Sequence, residues 1–270
     1  MSGEPRTLAP FGRRRARVVA NERHGAYRLF SAHDPDGPPD PRPGQFYMLA
    51  AVERWGGGEG ERPYLPRAFS FARMREGTLS FLVEAVGPGT ERLAELEPGE
   101  DLWLTGPLGV GFPAPESGRP LLVGGGIGVA PLMCWQDELG PDAPVLLGFR
   151  SAEHAEARRL FAGDPRVATD DGSIGPPRLV TELLREELDA DADVTVYACG
   201  PPPMLEAVRA LCAERGVQAQ LALESGMACG FGACFGCVVP TKTGYIRLCV
   251  DGPVLEAAEL ETALVRGAGH

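Results

Sequence analysis

Hydrophobic and polar positions alternate along the first third of the chain in short runs that glycine and proline interrupt. The runs are rich in β-branched and aromatic residues, as in GQFYMLAA at 44–51. Such alternation is typical of strands with one buried face, and regularly spaced turns are typical of antiparallel sheets. We therefore predict that residues 1–114 form an antiparallel β-barrel with one short helix at 89–96.

From about residue 115 the pattern changes to apolar runs that alternate with helical stretches. RPLLVG at 119–124 leads through a glycine turn into a helical pattern, and a similar order recurs at 193–216. Strands that alternate with helices predict a parallel sheet with crossovers, so 115–223 is predicted to be an α/β domain. Residues 224–270 are too few to bury a core by themselves, and we expect a bound group to staple this segment. Its end, LEAAELETALV at 255–265, is predicted to be helical.

Composition limits the partners that the chain can have. The 270 residues carry a formal net charge of −11, which argues against nucleic acid and anionic membranes as partners. No apolar run approaches the length of a membrane span, and no apolar core of a secretory signal follows Arg13 and Arg14. We therefore expect a cytoplasmic protein. A proline-rich connection at 34–44 and a glycine-rich excursion at 54–66, expected to be mobile, interrupt the strands.

Four cysteines near the C-terminus, spaced C-x4-C-x2-C-x11-C, carry the most specific chemical signal. They are Cys229, Cys234, Cys237 and Cys249. The first three match the plant-type ferredoxin spacing, which predicts a 2Fe–2S cluster on a glycine-rich loop. A structural zinc site is the alternative, although zinc ligands usually come in two short pairs, and a disulfide needs an oxidising compartment. Cys134 and Cys212 lie in helical runs and are predicted to be core residues.

Two motifs in the barrel predict a flavin dinucleotide site. The strand motif RAFS comprises Arg67, Ala68, Phe69 and Ser70. Its guanidinium and hydroxyl groups suit a pyrophosphate. A turn that opens a helix contains Gly87, Gly89 and Thr90. Its glycines permit close approach, and the helix N–H groups would face an anion. Each motif alone is also compatible with ordinary strand and turn chemistry.

Two glycine-rich turns in the α/β domain predict a second nucleotide site. LVGGGIGVAP at 122–131 reads strand–turn–helix, although Val129 stands where the strict dinucleotide fingerprint has its last glycine. YACGPPPM at 197–204 follows another parallel strand, at the end where open α/β sheets bind ligands. The candidate residues are Gly124, Gly126, Gly128, Cys199 and Gly200. A packed turn without ligand, with Cys199 as a small buried hydrophobe, remains the alternative.

In this order, RAFS, GPGT, GGGIGVAP and CGPPPM resemble the ferredoxin-NADP-reductase superfamily, and the resemblance runs from about residue 14. The C-terminal MACGFGACFGCVV…LCVDGPV resembles the electron-transfer subunits of NAD-dependent dihydroorotate dehydrogenases. The resemblance assigns FAD contacts to Arg67 and Ser70, its pyrophosphate to Gly89 and Thr90, the nicotinamide nucleotide to Gly126, Gly128, Cys199 and Gly200, and the 2Fe–2S cluster to the four cysteines. The chain departs from the family at Phe69, where tyrosine is common, and at Glu224 and Gly226, near which a basic residue is usual.

The resemblance implies an oxidoreductase subunit of pyrimidine biosynthesis. Electrons from dihydroorotate would enter the FMN of a separate catalytic subunit, cross the cluster to FAD and reduce NAD+, within a heterotetramer. Arg150 and Ser151 could accept the 2′-phosphate of NADP, although the resemblance favours NAD.

Two alternative functions remain open. One is a related FAD and 2Fe–2S subunit that serves a sulfide dehydrogenase, a hydrogenase or a ferredoxin-NAD(P) oxidoreductase. The other, from a different class, is a zinc-stapled binding protein without catalysis. No residue set suggests hydrolysis, and the histidines are expected to be solvated surface residues. They are His24, His33, His154 and His270.

Overall fold

The computed structural model describes residues 12–56 and 63–265, so the middle of the 54–66 excursion and His270 lie outside the described residues. Its first third forms a seven-stranded antiparallel sheet. The strands are β1 (Arg14–His24), β2 (Tyr27–His33), β3 (Phe46–Ala51), β4 (Arg67–Ser70), β5 (Arg73–Arg75), β6 (Thr78–Glu84) and β7 (Asp101–Leu108). Helix α1 (Pro88–Ala94) lies between β6 and β7 in the chain.

The strand order, β4-β3-β7-β1-β2-β6-β5, explains how this sheet closes. Only Phe71 and Ala72 separate its two edge strands, so the sheet must curve until its edges approach each other. Both linking residues are buried. The ring of Tyr47 packs edge-on against Phe71 at 6.1 Å and against Phe81 at 5.7 Å, which fills the interior. The predicted antiparallel barrel is confirmed.

The remaining strands and helices build the predicted α/β domain and the segment that contains the four cysteines, residues 224–265, here called the cysteine segment. The strands are β8 (Arg119–Gly125), β9 (Val145–Phe149), β10 (Arg166–Thr169), β11 (Val194–Cys199), β12 (Gln218–Ala222), β13 (Val238–Thr241), β14 (Gly244–Arg247) and β15 (Val254–Glu256). The helices are α2 (Ala130–Leu139), α3 (Ala152–Ala155), α4 (Val180–Ala190), α5 (Pro202–Arg215) and α6 (Leu248–Asp251). The second sheet has the order β10-β9-β8-β11-β12-β15 and is parallel except for β15. No helix in the described ranges is long and apolar enough to cross a bilayer.

The predicted C-terminal helix at 255–265 is wrong. The chain instead pairs β15 with the edge of β12 and then makes a short 3-10 turn at Ala257–Glu259. The buried residues Ala257, Leu260 and Ala263 recur every third position, which imitated a helical face. Pairing with an otherwise open sheet edge outweighs helix propensity here, because propensity is a weak prior that tertiary contacts override.

The cysteine segment lies between the two larger units. Cys237, Leu248 and Cys249 are almost fully buried and belong to one apolar cluster with Met48 of the barrel and Leu221 of the second sheet. The segment is therefore packed against both neighbours, and its core is largely supplied by them.

Glu206, on α5, anchors the last described residues, and its replacement should destabilise the fold. Its carboxylate accepts hydrogen bonds from Thr262 Oγ1 at 2.9 Å, from the Ala263 amide at 2.6 Å and from Arg209. The hydrogen bond from Arg209 is the main cause that lowers the pKa of Glu206 from 4.5 to about 2. We expect Glu206→Gln to lower the free energy of unfolding at pH 7 by about 1–2 kcal/mol.

The pH dependence has a definite sign. A depressed folded pKa stabilises the protein above the unfolded value of 4.5, and that stabilisation is lost as the pH falls towards 2. Urea unfolding should therefore separate Glu206→Gln from the wild type clearly at pH 7 and by a smaller difference at pH 3. An equal difference at both values would contradict this role.

The histidines do not all match the prediction of solvated surface residues. His33 is exposed, but only 14% of the His154 side chain is accessible. His154 lies where the barrel meets the α/β domain, 3.3 Å from Glu84 of β6. The prediction is therefore wrong for His154, because residues distant in sequence cover it.

Candidate functional site

The glycine-rich turns of the α/β domain meet at the point where the strand order reverses. The chain moves from β8 outwards through β9 and β10, then returns to place β11 on the other side of β8. Cys199, at the end of β11, is in register with Gly124 of β8. Open α/β sheets bind ligands in the crevice outside the carboxyl ends of strands at such a reversal. Two motifs about seventy residues apart therefore form one candidate nucleotide site.

Glycine at two of these positions has a direct spatial reason. A Cβ atom on Gly128 would lie 2.6 Å from both the Cα and the N of Gly200, so the two turns touch through their backbones. Gly126 has φ +54°, in the left-handed region, and nothing lies within 4 Å of the position of its missing Cβ. The first glycine permits packing, whereas the second faces open space at the crevice.

Cys199 and Glu224 meet at the same edge of the sheet. Burial raises the pKa of Cys199 well above 9.0, with a further contribution from the Glu224 charge, so this cysteine is a neutral thiol. Desolvation also raises the pKa of Glu224 to about 6. From the sequence, Glu224 is recognisable only as a departure from the family pattern, which usually has a basic residue just before the cysteine loop. Its proximity to Cys199 follows from the pairing of β11 with β12, after which Glu224 comes.

The loops after β9 and β10 border this crevice. Arg150 and Ser151 follow β9, and the Arg150 guanidinium points across the domain boundary to Glu84 at 3.8 Å. The carboxylate of Asp171, after β10, accepts hydrogen bonds from the Ser173 hydroxyl and amide, which lower its pKa. A cationic and an anionic side chain therefore stand at the outer end of the crevice.

The two barrel motifs also come together. The guanidinium of Arg67 lies over Gly89, where an added Cβ would be 2.6 Å from Nε. The same guanidinium lies 5.8 Å from the ring centre of Trp55. Desolvation lowers the pKa of Arg67, which remains a cation. Trp55 was not predicted as a site residue, since a single tryptophan at the start of an irregular excursion carries no motif.

Thr90 organises the turn itself. Its hydroxyl oxygen accepts hydrogen bonds from the amides of Val86 at 2.9 Å and Gly87 at 3.1 Å, and it donates to the Gly87 carbonyl at 3.0 Å. The hydroxyl is thus engaged with its own loop, which holds Gly87 and Gly89 in place. The resemblance had assigned Thr90 to the flavin pyrophosphate, and the observed contacts favour an indirect role.

Large apolar side chains that adjoin the Arg67 strand or the Gly87 turn in the chain are not buried. Tyr64 is 75% exposed, Leu65 48% and Val86 52%. In the RAFS motif, Ala68 is exposed, whereas Phe69 and Ser70 are half-buried. A cation flanked by apolar surface and a glycine cradle fits a ligand that has both a ring system and a pyrophosphate, as FAD does.

The four cysteines lie as two neighbouring pairs. Hydrogen bonding links Cys229 to Cys234 and Cys237 to Cys249, and the charge of Cys229 acts on Cys249. Cys237 and Cys249 are buried, whereas Cys234 is exposed. No three His, Cys, Asp or Glu side chains within 12–56 and 63–265 gather around one point as the ligands of a single ion do. Two adjacent pairs match the ligand demand of a cluster with two irons.

The loop turns backbone N–H groups towards the sulfurs. Burial raises the pKa of Cys229, but amides of Cys234, Phe231 and Ala233 oppose it and lower the pKa to about 6. Burial, followed by the hydrogen bond with Cys237, raises the pKa of Cys249 to about 12. Thiolates this close repel one another, and a cationic metal centre would offset that repulsion.

Glycine makes this loop possible. Gly230 has φ +80°, and an added Cβ would lie 2.5 Å from Met48 of the barrel. Gly232 has φ +86°, and its Cβ would lie 2.7 Å from Val250. The loop therefore lies directly on β3, which brings the cysteines close to the barrel that carries the candidate flavin site.

Comparison with known proteins identifies relatives of both the cysteine segment and the whole chain. Residues 224–261 match the family model described as the iron-sulfur cluster binding domain of dihydroorotate dehydrogenase B. The chain is 35% identical over 251 residues to the dihydroorotate dehydrogenase B (NAD(+)) electron transfer subunit of Caldanaerobacter subterraneus subsp. tengcongensis, which covers 91% of this chain and 97% of that protein. The subunit of the same name from Geobacillus thermodenitrificans is 40% identical over 231 residues, covering 81% and 86% of the two chains.

Solved structures share the fold. An NADH-dependent reduced ferredoxin-NADP oxidoreductase superposes with a TM-score of 0.75 at 26% identity, covering 92% of this chain and 90% of that one. The ferredoxin reductase of carbazole 1,9a-dioxygenase superposes with a TM-score of 0.65 at 26% identity, covering 79% and 68%. The proteins to which the chain is similar are thus oxidoreductases or their electron transfer subunits.

Proposed function

Because this chain belongs to the family of dihydroorotate dehydrogenase B (NAD(+)) electron transfer subunits, we propose that it carries electrons from a dihydroorotate-oxidising catalytic subunit to NAD+. Pyrimidine biosynthesis is then its metabolic role. The observation that supports this most strongly is the four-cysteine loop, packed between the barrel and the parallel sheet. A redox centre there would lie against both units that carry the candidate nucleotide sites.

The chain offers a distinct residue set to each cofactor. Arg67, Ser70 and Gly89 would hold FAD, with Trp55 supporting the guanidinium. The turns at 124–128 and 199–200 would hold the nicotinamide nucleotide, and the four cysteines the 2Fe–2S cluster. When bound, these groups supply the one-electron and two-electron steps that link the FMN of the partner to NAD+. The protein positions them and excludes water.

NAD is the proposed nucleotide. Arg150, the candidate for a 2′-phosphate, is drawn towards Glu84, while the carboxylate of Asp171 stands at the same end of the crevice. A carboxylate suits the hydroxyl groups of an NAD ribose and repels a 2′-phosphate. We further propose that 1–114, 115–223 and 224–270 are the FAD, NAD and cluster parts, with β15 serving as an added strand of the second.

Replacing Arg67 with alanine should weaken FAD binding. A hydrogen bond to a charged group is worth about 1.5–3 kcal/mol, so the dissociation constant for FAD should rise by about 10- to 100-fold. Quenching of flavin fluorescence during titration of the FAD-free protein measures this. Arg54→Ala is the matched control, because Arg54 is exposed and pairs with Glu95 at 3.0 Å. Unchanged affinity in Arg67→Ala would move FAD away from this strand.

The partner would dock on the exposed face of the cysteine loop. Phe231, Phe235, Val238 and Tyr245 are 51%, 63%, 37% and 79% exposed around the exposed Cys234. The motif ACFGCVV thus divides: Cys237 and Val239 pack inwards, whereas Phe235 and Val238 face outwards. Aromatic residues on an exposed patch are typical of protein interfaces. The proposed assembly is a heterotetramer in the cytoplasm, where thiolate ligands stay reduced.

Anaerobic NAD+ reduction by dihydroorotate tests the function, with this chain alone and with the dihydroorotate-oxidising subunit from its own genome. We expect activity only in the mixture, together with flavin and iron–sulfur absorbance in this chain. An inactive mixture with both cofactors present would assign the chain to a different redox partner, such as one serving sulfide or hydrogen oxidation.

A further inference from the structure

His154 bridges the barrel and the loop that borders the candidate nucleotide site. Its Nε2 lies 3.3 Å from Oε1 of Glu84, the last residue of β6. Its Nδ1 lies 2.8 Å from the hydroxyl oxygen of Ser151, which follows β9. No sequence motif pointed to this contact, because its members lie about seventy residues apart.

Hydrogen-bond chemistry assigns the direction of each contact. A carboxylate only accepts, so Nε2–H of His154 donates to Glu84. In a neutral imidazole the other nitrogen is an acceptor, and the Ser151 hydroxyl then donates a hydrogen bond to it. The side chains of His154 and Glu84 are 14% and 21% exposed, which limits competition from water. Contacts at both ring nitrogens therefore hold the imidazole in one orientation.

The barrel also contacts the segment after β9 at residues next to Ser151. The ring of Tyr27 packs edge-on against the imidazole, with centroids 5.7 Å apart. Arg23 pairs with Glu153 at 3.1 Å. A Cβ on Gly25 would lie 1.8 Å from the Glu153 carbonyl oxygen, so the turn between β1 and β2 touches this loop through its backbone.

The loop after β10 is hydrogen-bonded to the segment after β9. The amide of Ala152 donates to the Ser173 hydroxyl at 2.6 Å, and the amide of Asp171 donates to the Arg150 carbonyl at 3.3 Å. Both loops at the outer end of the nucleotide crevice are thus connected to Glu84, through His154 and through the more distant Arg150 guanidinium at 3.8 Å. A displacement of this contact would move the crevice relative to the barrel.

Apolar packing alone leaves the relative orientation of the two domains loosely determined. Tyr27 and Leu82 of the barrel share an apolar cluster with Phe149 and Ala155 of the α/β domain. Such packing holds the domains together, but the hydrophobic effect is non-directional. Directional hydrogen bonds at the rim restrict the angle further.

Orientation matters because, given the proposed function, a hydride would have to pass between a nicotinamide held by one domain and a flavin held by the other. A misplacement of about 1 Å can cost about 100-fold in rate. We propose that His154 is a positioning residue that fixes the nucleotide-binding loops against the flavin barrel for this transfer. Such a hydride would carry both electrons, and the role of His154 is confined to holding the loops in place.

Rapid anaerobic mixing of the FAD- and cluster-loaded protein with NADH tests the role of His154. We expect His154→Ala to lower the limiting rate of FAD reduction by about tenfold, while half-saturation by NADH changes by less than about twofold. His154→Gln should recover to within about threefold of the wild type, because its amide can donate to Glu84. His33→Ala is the matched control, since His33 lies exposed on β2 and should react as the wild type does.

Double variants separate a shared contact from general destabilisation. Glu84→Ala combined with His154→Ala should lower the rate by less than the product of the two single losses, because both variants remove the contact that Glu84 and His154 share. Losses that multiply, a normal rate in His154→Ala, or equal impairment in His154→Gln would each overturn the proposal. No reduction of FAD by NADH in the wild type would instead overturn the proposed function and, with it, this role.

Discussion

Replacing Cys234 with serine is expected to abolish dihydroorotate-driven NAD+ reduction while leaving the NADH-driven diaphorase reaction close to that of the wild type. A hard hydroxyl is a poor substitute for a soft thiolate ligand, so the 2Fe–2S cluster should be lost or become unstable. Loss of a residue that merely hydrogen-bonds to a metal ligand lowers metal affinity or activity by about 10- to 100-fold. Removal of a ligand itself should therefore lower dihydroorotate-driven NAD+ reduction by at least about 100-fold.

The diaphorase reaction should survive because Cys234 is exposed and its replacement creates no cavity. Iron content, visible absorbance and both activities of the two-subunit mixture are the measurements. Cys134→Ser is the matched control, since its buried sulfur donates to the carbonyls of Phe71 and Pro131, as a hydroxyl also can. Retained coupling in Cys234→Ser would show that electrons reach NAD+ without the cluster.

Replacing Gly128 with alanine should produce the opposite pattern, with FAD and cluster retained and the reaction with NADH strongly impaired. The new Cβ would meet backbone atoms of Gly200 at 2.6 Å, and backbone cannot move aside as a flexible side chain can. The two turns would have to separate by up to about 1 Å, which can lower the rate of hydride transfer by about 100-fold.

Stopped-flow reduction of FAD by NADH measures this effect, and bound flavin and iron report the integrity of the rest. Gly216→Ala provides the control for general destabilisation. Gly216 ends α5 with φ +64° and has nothing within 4 Å of its Cβ position, so alanine there should cost only about 1 kcal/mol of stability. Normal NADH reactivity in Gly128→Ala would place the nucleotide elsewhere.

The candidate sites illustrate what motifs can and cannot reveal. Arg67 and Gly89 were predicted separately, and the structure places the guanidinium directly over the glycine. Trp55 and His154 were missed as site residues, because their roles depend on neighbours that only folding supplies. The helical pattern at 255–265 was misread, since periodicity cannot register an available strand edge.

Local patterns in the amino-acid sequence suffice to predict the classes of structure and the chemistry available. Period-two alternation, glycine turns and cysteine spacing are local properties, and local sterics and ligand geometry suffice to interpret them. Which distant residues meet depends on the folded structure. Gly128 contacts Gly200, the cysteine loop lies on Met48, and His154 joins Glu84. Burial and cross-domain hydrogen bonds depend on how the barrel and sheet pack together. That packing produces no periodic pattern of hydrophobic and polar positions along the sequence, so it cannot be inferred from one.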